Sequence, residues 1–137
     1  MSLDIYLNFA GNCREVVLYY VDVFGLEQPH IMTFGEMEPD PSHPIPDEAK
    51  SLVMHTRISI GGNTLMFSDT FPGMPFTQGN NFSLSLTLRS ADELKSAFEK
   101  LKEGGKVIME LGPTFWSELY GSIVDKFGIQ WQFNLEK

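Results

Sequence analysis

The feature that most constrains the fold of this chain is an order of predicted elements that occurs twice. Each half begins with a segment of alternating apolar and polar residues, continues with an amphipathic helix that ends at glycine, and closes with three further strands. The predicted strands lie at 3–10, 30–34, 52–60 and 64–68 in the first half, and at 81–89, 106–111, 119–124 and 129–135 in the second. The order βαβββ, found twice in 137 residues, predicts an α+β fold of two modules packed around a shared cleft.

Capping residues define the two helices of this pattern. Asn12 precedes the first helix, Glu15 stands three residues later as in a capping box, and Gly25 follows as the stop. Ser90 and Glu93 mark the start of the second helix in the same way. The sequence therefore predicts one helix from Asn12 to Gly25 and another that begins at Ser90.

Two segments rich in proline or glycine interrupt the pattern. Residues 36–51 hold four prolines and five acidic residues, which predicts an extended, exposed loop. Residues 70–80 form a Gly/Pro-rich linker between a first module at about 1–69 and a second at about 81–137. We expect the two modules to form a single domain.

Composition excludes several classes of partner. The formal net charge is −8, and the ten lysines and arginines form no basic stripe, so no nucleic acid partner is expected. No apolar run reaches the roughly 20 residues of a membrane span, and no basic segment precedes an apolar stretch at the N-terminus. These features predict a cytoplasmic protein with no membrane partner.

The single cysteine, Cys13, has no partner for an internal disulfide. It is interpreted as a small apolar filler of the core. A reactive thiol is the alternative, because the first turn of a helix lowers the pKa of a thiol.

Five segments, which together span nearly all of the chain, match a known family. They are Tyr6 to Asn12 with Tyr20, Phe24 and Gly25; Met32 to Met37; Ile60 to Met66; Gly79 to Ser85; and Thr114 to Trp116 with Gly121 and the segment 125–131. On these residues the chain resembles the PhnB-like proteins of the vicinal oxygen chelate superfamily. That superfamily also holds glyoxalase I, fosfomycin and bleomycin resistance proteins and extradiol dioxygenases. The resemblance implies paired βαβββ modules, a glyoxalase-like fold and a homodimer.

The resemblance also implies where a divalent metal would be held, on the first and last strands of each module. The corresponding positions here are Ile5, Met66, Ser83 and Gln132. Isoleucine cannot ligate a metal, methionine suits soft ions, and serine and glutamine are weak neutral ligands. A divalent metal is therefore disfavoured, and no cofactor is predicted.

Several side chains are candidates for a ligand pocket. Arg57 suits a carboxylate or phosphonate and His55 a proton transfer, although a solvent-exposed sheet face is the alternative interpretation. Ser83 and Ser85, with Thr87, present hydroxyl groups on one face of a strand. The full set of pocket candidates is His55, Arg57, Met66, Ser83, Ser85, Trp116, Tyr120 and Gln132.

Two functional hypotheses follow from these candidates and from the resemblance. The first is metal-independent binding of a small molecule that is partly apolar or aromatic, with Trp116 and Tyr120 lining the pocket. The alternative is a divalent-metal-dependent lyase, isomerase or transferase that acts on a small organic or phosphonate substrate. The sequence assigns no catalytic residue and contains no glycine-rich nucleotide loop.

Overall fold

A computed structural model describes residues 1–137 and divides the chain into two units, Met1–Thr77 and Gln78–Lys137. The boundary falls inside the Gly/Pro-rich segment 70–80. Each unit holds four strands and one α-helix in the order βαβββ, so the duplicated pattern and the α+β class are confirmed.

The elements of the first unit are strands β1 (Ile5–Phe9), β2 (Met32–Thr33), β3 (Val53–Ile60) and β4 (Asn63–Asp69), helix α1 (Cys13–Phe24), and two 3₁₀ helices at Phe34–Glu36 and Asp47–Ala49. Those of the second unit are strands β5 (Leu84–Leu88), β6 (Lys106–Gly112), β7 (Tyr120–Val124) and β8 (Gln130–Leu135), and helix α2 (Ala91–Leu101).

Both sheets have the same topology. The strand orders are β1-β4-β3-β2 and β5-β8-β7-β6, and in each sheet the first strand lies parallel to the last strand of its unit. The remaining pairs are antiparallel. The tight turn between β3 and β4 is formed by Gly61 and Gly62, whose φ angles of 58° and 82° suit glycine.

The core of each unit lies between its helix and one face of its sheet. The Tyr20 ring of α1 lies 6.1 Å from that of Phe67 on β4, and the Phe98 ring of α2 lies 5.5 Å from that of Phe133 on β8. Because side chains alternate along a strand, the neighbours of these residues face away from the helix. We call this second surface the far face of each sheet.

The start of α1 differs from the sequence prediction. The Asn12 side chain makes no capping hydrogen bond. Asp69, at the end of β4, accepts hydrogen bonds from the backbone amides of Gly11 at 2.9 Å and Cys13 at 3.0 Å. Since β4 runs parallel to β1, its last carboxylate reaches the helix start and satisfies amide groups there.

Other local predictions have mixed outcomes. Ser90 accepts a hydrogen bond from the Glu93 amide at 3.2 Å, and Gly25 adopts the left-handed conformation that ends α1, so both are confirmed. The predicted strand at 30–34 shortens to two residues because Phe34–Glu36 forms a 3₁₀ helix. The predicted extended loop 36–51 contains a second 3₁₀ helix, Asp47–Ala49, whose Ala49 is buried.

Cys13 is fully buried, and burial raises the pKa of its thiol to about 12. The interpretation as a core filler is confirmed. Desolvation is the main cause, since a thiolate is costly away from water, and the negative charge of Asp69 raises the pKa further.

Neither α-helix combines the length and the apolar character needed to cross a lipid bilayer.

Candidate functional site

The far face of the first sheet brings together three of the predicted pocket residues. Met66 on β4 lies in register with Arg57 on β3 and with Tyr6 on β1. Arg57 and His55 lie on the same face of β3 because they are two residues apart. Tyr6 was not predicted from the sequence as part of this group, because strand register decides its position.

Tyr6 and His55 are joined directly. The Tyr6 hydroxyl and His55 Nδ1 lie 3.3 Å apart, and the ring centroids are 5.9 Å apart. The neighbouring row holds a second polar pair, in which the Ser68 hydroxyl donates to Asn8 Oδ1 at 3.1 Å. This face therefore presents a phenol and an imidazole beside a thioether and a guanidinium.

Arg57 is exposed and forms no ion pair with a carboxylate. It also lines a cavity of about 360 Å³ with Ser59 and the segment 26–29, which includes Glu27. The guanidinium group is thus accessible to an anion at the edge of the far face.

The predicted serine and glutamine residues lie together on the far face of the second sheet. Gln132 on β8 lies in register with Ser85 on β5 and with Ser122 on β7. Its Nε2 donates to the Ser83 hydroxyl at 2.8 Å. Ser83 precedes β5, so the residue beside Gln132 in the sheet is Ser85, while Ser83 contacts it from the end of the strand.

An aromatic cluster lies at the start of β7. The Trp116 ring stands edge-on to Tyr120, with centroids 5.2 Å apart, and Phe115 lies 4.8 Å from Trp116. Trp116 is 46% exposed and Phe115 is 97% exposed. A turn fixes the loop that carries them, since the Ser117 amide donates to the Thr114 hydroxyl at 3.1 Å.

Asn134 also lies on this face, although the sequence did not predict it as a pocket residue. It lies in register between Thr87 on β5 and Tyr120 on β7. Its Oδ1 atom is buried and has no hydrogen-bond partner in the protein. A buried acceptor without a donor is rare and costs about 1–3 kcal/mol. The sequence signal for Asn134 was the alternation of polar residues along β8, at Gln130, Gln132 and Asn134.

The residues do not fit a divalent metal of the kind used by the superfamily's enzymes. The first unit offers the phenol of Tyr6, the thioether of Met66 and one imidazole, that of His55, and the second offers Ser85 and Gln132. No group of three or more histidine, cysteine, aspartate or glutamate side chains lies together in a geometry that could hold a metal. Hard divalent ions need carboxylate or imidazole ligands, and neutral hydroxyl and amide groups do not replace their charge.

One position assigned by the resemblance is wrong. Ile5 lies in register with Leu65, on the sheet face that packs against α1. The residue of β1 that lies beside Met66 is Tyr6. The assignment is shifted by one residue, and a one-residue shift in a strand moves a side chain to the opposite face.

Comparison with known proteins identifies the family. The family model described as 3-demethylubiquinone-9 3-methyltransferase matches residues 2–134. Protein YjdN of Escherichia coli strain K12 is 35% identical over 146 residues, which cover 100% of this chain and 97% of YjdN.

Two solved structures share both sequence and fold with the chain. PA1353 from Pseudomonas aeruginosa is 38% identical with a TM-score of 0.81, covering 98% of each chain. A putative 3-demethylubiquinone-9 3-methyltransferase, PhnB protein, from Bacillus cereus is 26% identical with a TM-score of 0.76, covering 99% of this chain and 100% of that one. The chain thus belongs to the PhnB-like family, and its fold is that of glyoxalase-related proteins.

Proposed function

We propose that this protein binds a small, partly aromatic molecule without a metal, and that the far face of the second sheet supplies the main contacts. The observation that carries the proposal is the buried, unpartnered Oδ1 of Asn134 beside the ring of Tyr120. Trp116 extends the aromatic surface from Tyr120 to solvent. Together these groups offer a surface for an aromatic ring and an acceptor for one hydrogen-bond donor.

The chemistry of the neighbouring groups defines the ligand further. A ligand that carries an N–H or O–H group satisfies Asn134 and removes the cost of its desolvation. Ser85 and Gln132 lie two residues further along the same face and provide additional polar contacts. The ligand class that fits is therefore an aromatic amide, amine or phenol.

The far face of the first sheet supports a separate site. We propose that Arg57 binds a small acidic molecule there, with His55 and its partner Tyr6 beside it. The support is the lack of a carboxylate partner for Arg57 and the exposure of its side chain. Met66, in register between Tyr6 and Arg57, contributes an adaptable apolar contact.

Binding is favoured over metal-dependent catalysis by the donor set of the two far faces. A divalent-metal-dependent lyase, isomerase or transferase needs several carboxylate or imidazole ligands brought together, and no such group is present. The family description names a methyl transfer, but no glycine-rich nucleotide loop in the sequence supports one. If the protein turned over a small organic or phosphonate substrate, a catalytic function would replace the proposed binding function.

The test is calorimetric titration of the full chain with benzamide and with N,N-dimethylbenzamide, which lacks the N–H donor. We expect benzamide to bind more tightly, and Trp116→Ala to weaken it about tenfold. Phe82→Ala is the matched control, because Phe82 is an aromatic of the same unit with similar exposure, 55%. Equal affinities for the two amides, or equal losses in the two variants, would contradict the site.

We also propose that the chain forms a homodimer. The support is β6, an edge strand whose Ile108 and Met109 are 59% and 44% exposed. Light scattering on the purified protein tests this directly, since a dimer has twice the 15.5 kDa mass of the chain. A monomer at micromolar concentration would overturn it.

A further inference from the structure

A cavity of about 570 Å³ lies in the first unit, between residues 34–45 and Phe71. We call it the loop cavity. Its apolar lining comes from Phe34, Met37, Ile45 and Phe71, and its volume is in the range of small-molecule sites. None of these residues lies on the strands that carry the proposed aromatic site.

The aromatic wall of the loop cavity is held in place by the fold. The rings of Phe34 and Phe71 meet edge-to-face with centroids 5.4 Å apart. Backbone hydrogen bonds anchor the wall at its base, from the amide of Phe34 to the carbonyl of Leu52 at 3.1 Å and from Gly35 to Lys50 at 2.9 Å. A preformed wall loses little conformational entropy when a ligand binds.

The charged groups of the loop cavity are acidic. Glu38 and Asp40 line it together with one histidine, His43, and no lysine or arginine does. The Asp40 carboxylate accepts from the amide of Ser42 at 2.9 Å and lies 3.2 Å from His43 Nδ1. These hydrogen bonds hold the pKa of Asp40 below its usual range, so the group is anionic at neutral pH.

The nearest lysine does not neutralise this charge. Lys50 lines an adjoining cavity of about 400 Å³, which shares Met37, Asp40, Pro44 and Ile45 with the loop cavity, and its ammonium group is paired with Asp47 at 2.8 Å. The loop cavity therefore combines an aromatic wall with two carboxylates, of which Asp40 is paired with His43 and Glu38 has no cationic partner, in a chain whose formal net charge is −8.

We propose that the loop cavity binds a small organic cation with an aromatic or alkyl body. The body packs against Phe34 and Phe71, and the cation faces Asp40 and Glu38. Aromatic faces attract a cation through their quadrupole, and the carboxylates add a Coulomb attraction of the same sign. The proposal does not depend on the aromatic site of the second unit.

The test is titration of the full chain with benzyltrimethylammonium, followed by amide NMR shifts. We expect the shifts to concentrate in residues 34–45 and at Phe71, and Phe71→Leu and Asp40→Asn each to weaken binding about fivefold. Benzenesulfonate, which has the opposite charge, is expected not to bind here. Shifts confined to other residues, or equal affinity for the anion, would overturn the proposal.

Glu48→Gln is the matched control, because it removes one negative charge from the same segment at an exposed residue that lines neither cavity and forms no ion pair. We expect it to leave the affinity within about twofold of wild type. An equal loss in Glu48→Gln and Asp40→Asn would show a general charge effect and overturn the site. If Phe71→Leu does not fold, Met37→Ala tests the same wall, since Met37 is 44% exposed.

Discussion

The Oδ1 atom of Asp69 accepts a hydrogen bond from the backbone amide of Cys13 at 3.0 Å, across 56 positions of the chain. The same carboxylate accepts from Gly11 and, through Oδ2, from the amide of Val53 at 2.9 Å. Asp69 is buried at the end of β4. One side chain thus joins the turn after β1, the start of α1 and the start of β3.

Replacement of Asp69 by asparagine is expected to destabilise the first unit by about 3 kcal/mol. The asparagine side chain carries no negative charge. Its NH₂ group would also face a backbone N–H that now donates to a carboxylate oxygen. Urea unfolding measures the change in free energy. Asp92→Asn, at an exposed position in the first turn of α2, is the control, with an expected loss below about 1 kcal/mol. Similar losses in both variants would contradict the joining role of Asp69.

Asn134→Leu is expected to change stability and affinity in opposite directions. Leucine has nearly the same shape and removes a buried acceptor that has no donor, so the free energy of unfolding should rise by about 1 kcal/mol. The affinity for benzamide should fall about fivefold, because the ligand loses its acceptor. Thermal unfolding and calorimetry measure the two effects.

The control for this variant is Asn81→Leu, an exposed position of the same unit that should leave both quantities nearly unchanged. A fall in stability with Asn134→Leu would mean that the side chain supports the fold. The assignment of Asn134 to a ligand would then be wrong.

The Cys13 thiol is expected to be inert in the folded protein. With a pKa of about 12, its thiolate fraction at pH 8 is on the order of 1 in 10,000. A disulfide reagent should therefore label Cys13 only as fast as the protein unfolds, and rapidly in denaturant. Fast labelling of the native protein at pH 8 would contradict the burial of this residue.

Because the pKa of the Cys13 thiol is raised in the folded protein, the free energy of unfolding is expected to fall as pH rises above 9.0. The thiol has an ordinary value of 9.0 and is raised by burial, so the unfolded state loses the proton first as pH rises. Its contribution to stability is complete below pH 9.0 and is lost as pH rises towards 12. Cys13→Ala should show a shallower loss of stability over this range, measured by urea unfolding at each pH.

Arg57→Met is expected to weaken an anionic ligand far more than a neutral one. Benzoate should lose about tenfold in affinity, and benzamide less than about twofold, because methionine keeps the apolar stem and removes the charge. Competition binding of the two compounds measures both. Arg89→Met is the control, since Arg89 is already paired with Glu136 at 2.8 Å. An equal loss for benzoate and benzamide would exclude an anion site at Arg57.

Elements with a strong local period were predicted well from the sequence. The alternation of Gln130, Gln132 and Asn134 with Trp131 and Phe133 gives both the extent of β8 and the face each side chain occupies. The period of apolar residues and the glycine stop likewise define α1. In both cases the information lies within a few residues of the chain.

The parts that were missed depend on contacts between distant residues. The helix start at Asn12 is capped by Asp69, and His55 meets Tyr6 from 49 positions away. The choice between Ile5 and Tyr6 depends on register with β4, which no local pattern contains. The 3₁₀ helix Asp47–Ala49 lies in a proline-rich segment without a period, so its fold was not predicted.

The most direct test of the proposed function is an amide NMR titration of EDTA-treated protein with benzamide. We expect benzamide to bind without added metal and to shift the Trp116 indole and the Asn134 side-chain amide, which both neighbour Tyr120. Binding that appears only after Mn²⁺ or Zn²⁺ is added, or shifts that leave both groups unchanged, would contradict metal-independent binding at this face.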